Sequence, residues 1–456
     1  MTAIIERLVA HGLSTAEAER KAQLFAETAR VVQHAAGADP ETLRQWFVPG
    51  RIEVLGKHTD YAGGRSLLCA VERGFCFSAS PRIDDVLNVT DVRNGVDARF
   101  IVSESQPDET RWRNYIATVA RRVARNFPGA FRGADVAFAS DLPRSAGLSS
   151  STALIIGIFS VLADFNALER HPAYTANIPD HERLAAYLGC VENGRTFGTL
   201  IGDSGVGTKG GSQDHTAVLC SQAGRIVAQA YSPPRRERIL AMPAGCTFVI
   251  GASGVAAEKT GEALDHYNRA AAQVAALVEL WQRDVSGQAR DETLFDIVVG
   301  SSPTTFDARV VAQLREVIAQ TSALPPEFTR EDLTARLDQF VLEAFQIIPA
   351  AGDALGREDL AAFGDLVDRS QAAAELWLGN QIPETIALAR LARTSGALAA
   401  SAFGAGFGGS VWALVQEAEA PAFLEQWRSR YLANFPDRLP KAEFFLTSAG
   451  PPLFKV

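Results

Sequence analysis

Residues 50–64, GRIEVLGKHTDYAGG, set an arginine, a histidine, a tyrosine and several acidic and basic side chains among four glycines. Lys57-His58-Thr59-Asp60-Tyr61 can present donors and acceptors side by side at a strand end or on a loop, which suits a polyhydroxylated ligand whose every hydroxyl needs a directed partner. The competing reading is a polar hairpin tip that turns at Gly63-Gly64. Two later segments tip the balance toward a ligand.

The first is LPRSAGLSSSTA, Leu142 to Ala153. Its small residues permit close backbone approach, and its hydroxyl run opens a long apolar stretch that reads as a helix. The N–H groups and partial positive charge of such a helix start suit a phosphate. An ordinary serine-rich N-cap would explain two hydroxyls better than three beside Ala146-Gly147. The second segment, Ser212-Gln213-Asp214-His215, follows the glycine-rich GTLIGDSGVGTKGG. Taken singly, Asp214 reads as a turn residue or cap, and Glu192 in CVENG as a solvated helix residue. His58 and His215 lack metal-binding spacing.

Two glycine runs mimic nucleotide motifs. Gly404–Gly409, GAGFGG, satisfies G-x-G-x-x-G, but a helical stretch precedes it and the strand-like SVWALV follows, the wrong order for a dinucleotide fingerprint. GDSGVGTK at 202–209 ends Thr-Lys where a P-loop needs Lys-Ser/Thr, and no hydrophobic strand leads into it.

Positioning these groups falls to a mixed set of elements. Ile52–Leu55 alternates like a half-buried strand that Gly56 ends. Helices are expected over 14–36, 111–127, from 147 onward and 180–195; antiparallel strands over 66–105; strands over 133–140, 215–231 and 246–252. From 256 the pattern is helical, over 256–283, 307–320, 330–349, 358–378 and 383–398. A domain change near 225–245, with YSPPRRER as connector, divides the chain as 1–235 and 236–456. The irregular order fits α+β better than a doubly wound sheet.

The bulk numbers narrow the partners. With 456 residues the chain can form two or three domains. Its net charge of −9 and lack of a Lys/Arg block argue against nucleic acid and anionic membranes. An acidic protein that handles a nucleotide must build positive potential locally. Five cysteines with no CxxC indicate neither a disulfide framework nor a zinc site. With no apolar signal core and no run of about 20 apolar residues, a cytoplasmic protein is expected, a monomer or weak homo-oligomer.

Together the segments resemble the GHMP kinases, and within them the galactokinase branch. The branch signature, approximately G-R-x-N-L-I-G-E-H-T-D-Y-x-x-G, is matched from Gly50 to Gly64. The second motif, P-x-G-A-G-L-S-S-S-A, is matched from Pro143 to Ala153, with Ser145 in place of glycine and Thr152 before the alanine. The third, G-A-G-F-G-G, is complete at Gly404–Gly409. The resemblance spans essentially the whole chain. It implies a two-domain α+β kinase holding ATP and a small-molecule sugar in the cleft between domains. By resemblance, Asp214 takes the proton from, or orients, the anomeric hydroxyl, and Arg51 stabilises that aspartate and the transferring phosphoryl group. Gly147, Leu148, Ser149, Ser150 and Ser151 cradle phosphates, Ser150 and Glu192 hold Mg²⁺, and His58 and Asp60 bind sugar hydroxyls. Gly404–Gly409 supports the floor of the site. Arg51 and the H-T-D-Y run disfavour a mevalonate kinase, and the intact serine run disfavours a silent sugar sensor.

Three departures bear on the sugar. Lys57 stands where the branch has a glutamate that contacts the sugar's terminal hydroxyl, which predicts either an acidic substrate such as a uronic acid or a lysine turned to solvent. Glu53 replaces asparagine near Arg51, in a stretch that also varies in arabinose- and galacturonate-kinase-like relatives. The loop between Glu192 and Asp214 is about ten residues longer than in galactokinases, at modest entropic cost, and is expected to act as a lid or reshape the sugar site.

Overall fold

Arg44–Leu55 forms strand β1, buried from Phe47 through Leu55 with Trp46 beside them. The half-buried strand expected there is therefore covered on both faces. Phe47 packs with Leu8, Leu24 and Phe25 of the N-terminal helices, while Val48, Ile52 and Val54 join a cluster with Leu154 and Ile158 on the other side. The computed structural model describes residues 2–36, 40–107, 109–110, 112–129, 131–144, 146–257, 262–300, 302 and 305–456. Ser145 and residues 258–261 of the helix expected over 256–283 lie outside the described residues; 256–257 are not helical, and the described helix is Glu262–Trp281.

The described strands form a nine-stranded and a four-stranded sheet. The first contains β1, β2 (Arg65–Pro81), β3 (Val86–Asp91), β4 (Val96–Ile101), β5 (Ala134–Ser140), β6 (Arg225–Tyr231) and β7 (Pro234–Ala241). β1 and β2 are an antiparallel hairpin around residues 56–64, and β3 pairs parallel with β5. The second sheet contains β8 (Cys246–Ala252), β9 (Ala399–Phe403), β10 (Ser410–Gln416) and β11 (Glu443–Thr447) in the order β11-β8-β10-β9. The chain then returns to the first sheet, where β12 (Ala449–Gly450) pairs with β2 and β13 (Phe454–Lys455) with β1.

The helices expected at 14–36, 111–127, 147 onward and 180–195 appear as Thr15–Ala36, Trp112–Asn126, Ser150–Phe165 and His181–Asn193. Three expectations fail. Residues 215–231 are not all strand: Gln213–Cys220 is a helix, and the strand begins at Arg225. The helix expected over 383–398 stops at Thr394, and buried β9 follows, its small residues filling the sheet face. The YSPPRRER segment is no free connector, because its arginines pair in β7 against β6. The two-domain α+β fold itself stands, with a separate helical core around Leu277, Leu314, Leu337 and Phe340.

Candidate active site

Arg51 and Glu53 are two apart on β1, so their side chains leave the same face of the strand. Gly56 ends the strand with φ +116, and a Cβ there would strike the Ser66 side chain, so only glycine permits the turn into loop 56–64. That loop is gripped from behind by the helix Arg330–Val341 and the π-helical turn Leu342–Ile347. Arg336 Nη2 donates to the His58 carbonyl at 2.5 Å and Gln339 Nε2 to the Lys57 carbonyl at 3.2 Å. Glu343 Oε1 accepts from the Gly56 N–H at 2.8 Å. Spacings of three and four residues put all three on one helix face. The grip holds His58 in a left-handed conformation, φ +56, that a non-glycine residue adopts only under such constraint.

Facing the loop is the helix Gln213–Cys220, with Asp214 in its first turn, where the helix dipole favours a carboxylate. Arg51 Nε and Nη2 each lie 2.7 Å from Asp214 Oδ1, and Arg51 Nη1 donates to the Gly147 carbonyl. One guanidinium thus ties the carboxylate to the serine-rich turn. The backbone joins in, since the Arg51 N–H donates to the Leu148 carbonyl at 3.3 Å. Gln213 completes the wall: its backbone N–H donates to Asp60 Oδ2 at 3.0 Å, and its side-chain amide to Glu53 Oε2 at 2.6 Å.

The serine-rich turn has Gly147 at φ +75 and Ser149 at φ +62, and helix Ser150–Phe165 starts immediately after. Ser149 makes no side-chain cap bond, and its buried Oγ has no partner. The helix start is therefore left for another acceptor, as an anion site requires. Glu192 is buried, not solvated. Its Oε2 accepts from Thr152 Oγ1 at 3.2 Å, in the first turn of that helix, and lies 3.3 Å from His215 Nε2.

The loop Gly404–Gly409 joins β9 to β10, so a strand rather than the expected helix leads into it, and strand–loop–strand is still no dinucleotide turn. It packs against the serine-rich turn, with Ser410 Oγ donating to the Ala146 carbonyl at 2.6 Å. His58 Nε2 donates to the Ala405 carbonyl at 3.0 Å, which leaves Nδ1, 2.8 Å from Tyr61 Oη, to accept.

Arg51, His58, Asp60, Glu192 and Asp214 all line one cavity. Lys57 does not. It is 1% exposed, and its Nζ donates to Ser401 Oγ at 2.7 Å and Ser370 Oγ at 3.1 Å, away from the cavity and equally away from solvent. Both outcomes expected for Lys57 are corrected by one cause: β9 and the helix Leu360–Ala373 supply buried acceptors within its reach.

Sequence reasoning missed Tyr267, Gln213, Thr208 and Glu53 as cavity residues. Tyr267 sits in an ordinary amphipathic helix, Glu262–Trp281, and no local signal marks it. The long loop is tethered at both ends: Arg121 pairs with Asp203 at 2.6 Å, and the Lys209 N–H donates to Asn268 Oδ1 at 2.8 Å. Thr208, Gly210 and Gly211 of this loop form part of the cavity wall. Gly211 must be glycine, because a Cβ would meet the Asp60 carboxylate.

The electrostatics are acidic. Glu53, Asp60, Glu192 and Asp214 line the cavity, and among its described lining residues Arg51 is the only Lys or Arg. Burial pushes the Glu53 carboxyl up to about 8, against the pull of Lys57 and Arg51. Burial raises Asp60 too, offset in part by the Gln213 N–H. Tyr61 and Tyr267 are pushed up by burial and stay neutral hydroxyls. Among the described residues no three His, Cys, Asp or Glu side chains cluster as a metal cage. No helix among them is long and apolar enough to cross a membrane.

Comparison with known proteins falls on the same residues. Residues 33–81 match the galactokinase galactose-binding signature, 114–222 the GHMP kinases N terminal domain and 353–433 the GHMP kinases C terminal. A galactokinase of Glaesserella parasuis is 39% identical over 127 residues, which cover 28% of this chain and 32% of that relative, so the matched stretch spans about a third of its length. A galactokinase of Roseiflexus is 27% identical over 387 residues, 84% of this chain and 86% of the relative. The crystal structure of Lactococcus lactis galactokinase complexed with galactose shares the fold, with a TM-score of 0.73 and 20% identity over 94% of this chain and 99% of that one. Signature, N-terminal and C-terminal matches follow one another along a chain that keeps this fold throughout, and the protein belongs to the GHMP kinases, in their galactokinase-like branch.

Proposed function

We propose that this protein transfers the γ-phosphoryl group of ATP to the anomeric hydroxyl of a neutral aldose, with galactose the first candidate. The observation that carries the proposal is the Arg51 guanidinium, which holds Asp214 and the Gly147 carbonyl at once. Phosphoryl transfer asks for in-line positioning and charge neutralisation more than for covalent chemistry. Asp214 orients the attacking hydroxyl, and Arg51 fixes the carboxylate and meets charge that develops on the transferring group. The uncapped helix start at Ser150, with the Gly147–Ser151 backbone, receives the phosphates. Asp60 and Tyr267 hydrogen-bond the sugar, and His58, held by the Ala405 carbonyl and Tyr61, shapes the wall beside them.

Mg²⁺ fits the donor set: Glu192 stands against the first turn of the helix that Ser150 opens, and magnesium takes one or two protein oxygens beside phosphate oxygens. Held there by Ser150 and Glu192, the ion would supply charge neutralisation on the phosphates.

An acidic cavity supports a neutral sugar over a uronic acid, because Lys57, the residue that suggested a carboxylate, is engaged by Ser370 and Ser401. The test is ATP turnover with galactose, arabinose, galacturonate and mevalonate, the phosphorylated carbon being identified by NMR. A 1-phosphate of a neutral aldose is expected. Galacturonate as the best substrate, or sugar and ATP binding with no turnover, would overturn the reading.

A further inference from the structure

Glu53 is 4% exposed and lines the cavity, yet only half its carboxyl is used. Oε2 accepts from Gln213 Nε2 at 2.6 Å, whereas Oε1 has no protein partner. A buried polar atom without a partner is costly, and one on a cavity wall is satisfied by what enters the cavity. The branch signature has asparagine here, a side chain with one acceptor and one donor end. A neutral glutamic acid offers the same pair from a longer arm.

We propose that Glu53 is a substrate-contacting specificity residue, its Oε1 hydrogen-bonding a sugar hydroxyl other than the one that receives the phosphoryl group. The inference rests on the sugar-kinase reading above. The placement follows from two adjacent pairs: Arg51 and Glu53 leave one face of β1, and their partners Asp214 and Gln213 are neighbours in the chain. The Glu53 pair therefore lies beside the reacting hydroxyl. The charged groups acting on Glu53 are Arg51 on its own strand, Lys57 on the loop, Asp214 on the helix opposite and Glu343 on the π-helical turn. Burial outweighs the two cations, so the carboxyl is protonated at neutral pH and gives Oε1 a donor role. Above a pH of about 8 it becomes an acceptor and adds a negative charge beside Asp214.

The experiment compares wild type, Glu53→Ala and Glu53→Gln on the preferred sugar and its deoxy analogues from pH 6 to 9.5. In Glu53→Ala, sugar KM is expected to rise roughly 10- to 100-fold with ATP KM unmoved. One deoxy position that wild type discriminates against should carry no further penalty. Glu53→Gln should recover most of the lost affinity and lack the fall in kcat/KM that wild type shows above pH 8. An identical alkaline limb in Glu53→Gln, or equal deoxy penalties in wild type and Glu53→Ala at every position, would overturn the proposal. If wild type turns over no sugar, the kinase reading fails separately, and the same cycle read by calorimetric sugar binding decides Glu53; absence of binding by wild type overturns both.

Discussion

Replacing Glu53 by glutamine should stabilise the fold by an amount that depends on pH. In the unfolded chain the carboxyl ionises near 4.5; in the fold, burial holds the proton to about 8. Between those values the unfolded state binds fewer protons than the folded one, so stability falls as pH rises through that window and levels off above it. Each unit of the window corresponds to about 1.4 kcal/mol. At pH 7 the folded protein thus carries a penalty of about 3 kcal/mol that glutamine, permanently neutral, does not incur; at pH 5 the penalty is under about 1 kcal/mol. Glutamine keeps the acceptor for Gln213, so the packing term largely cancels when the two pH values are compared. Urea unfolding of both proteins at pH 5 and pH 7 measures the difference. Glu53→Gln should gain about 2 kcal/mol on wild type between the two. A gap that stays constant with pH, or one that closes as pH rises, would refute the reasoning and mean that Lys57 and Arg51 hold Glu53 ionised.

The Arg51–Asp214 pair acts as one unit, so Arg51→Ala and Asp214→Asn should each lower kcat by roughly a thousandfold and the double variant by little more; additive losses in steady-state kinetics would separate the roles. Lys57→Ala should destabilise the protein by about 1–3 kcal/mol, because it leaves the buried Ser370 and Ser401 hydroxyls without the ammonium they accept from, while the galactose-to-galacturonate ratio of kcat/KM on the folded fraction stays put; a changed ratio would return Lys57 to the sugar site. Glu192→Ala should raise the Mg²⁺ concentration for half-maximal activity at least tenfold, with sugar binding measured calorimetrically without metal unaltered. Loss of sugar binding there would make Glu192 a wall residue instead.

What the sequence revealed of this site follows from how the groups are delivered. Arg51, His58 and Asp60 sit on a single hairpin, and the serine-rich turn opens a single helix, so the local pattern suggested a hydroxyl-binding loop and a phosphate site only when the segments were taken together, and the role of each residue on the hairpin came from resemblance. Asp214 and Glu192, read singly as a turn residue and a solvated helix residue, took their roles from resemblance, because their partners lie on other elements. Tyr267 was invisible because an aromatic on an amphipathic helix has the same local pattern whether it faces a core or a ligand.

Lys57 shows the limit most sharply. Its charge suggested an acidic substrate, and nothing local disputes that; the serines that capture it are more than 300 residues away along the chain. Glu53 is the converse case. In sequence it was an acidic replacement for asparagine near Arg51, and the structure gives the lysine to Ser370 and Ser401 and gives Glu53 to Gln213. The charge reversal at 57 is thus absorbed within the supports of the loop, and the chemical difference that reaches the cavity is the carboxyl at 53. For a pocket built from one hairpin and several distant helices, substrate choice is decided by which neighbour claims each side chain, and two adjacent departures from a signature can exchange their apparent importance once those claims are known.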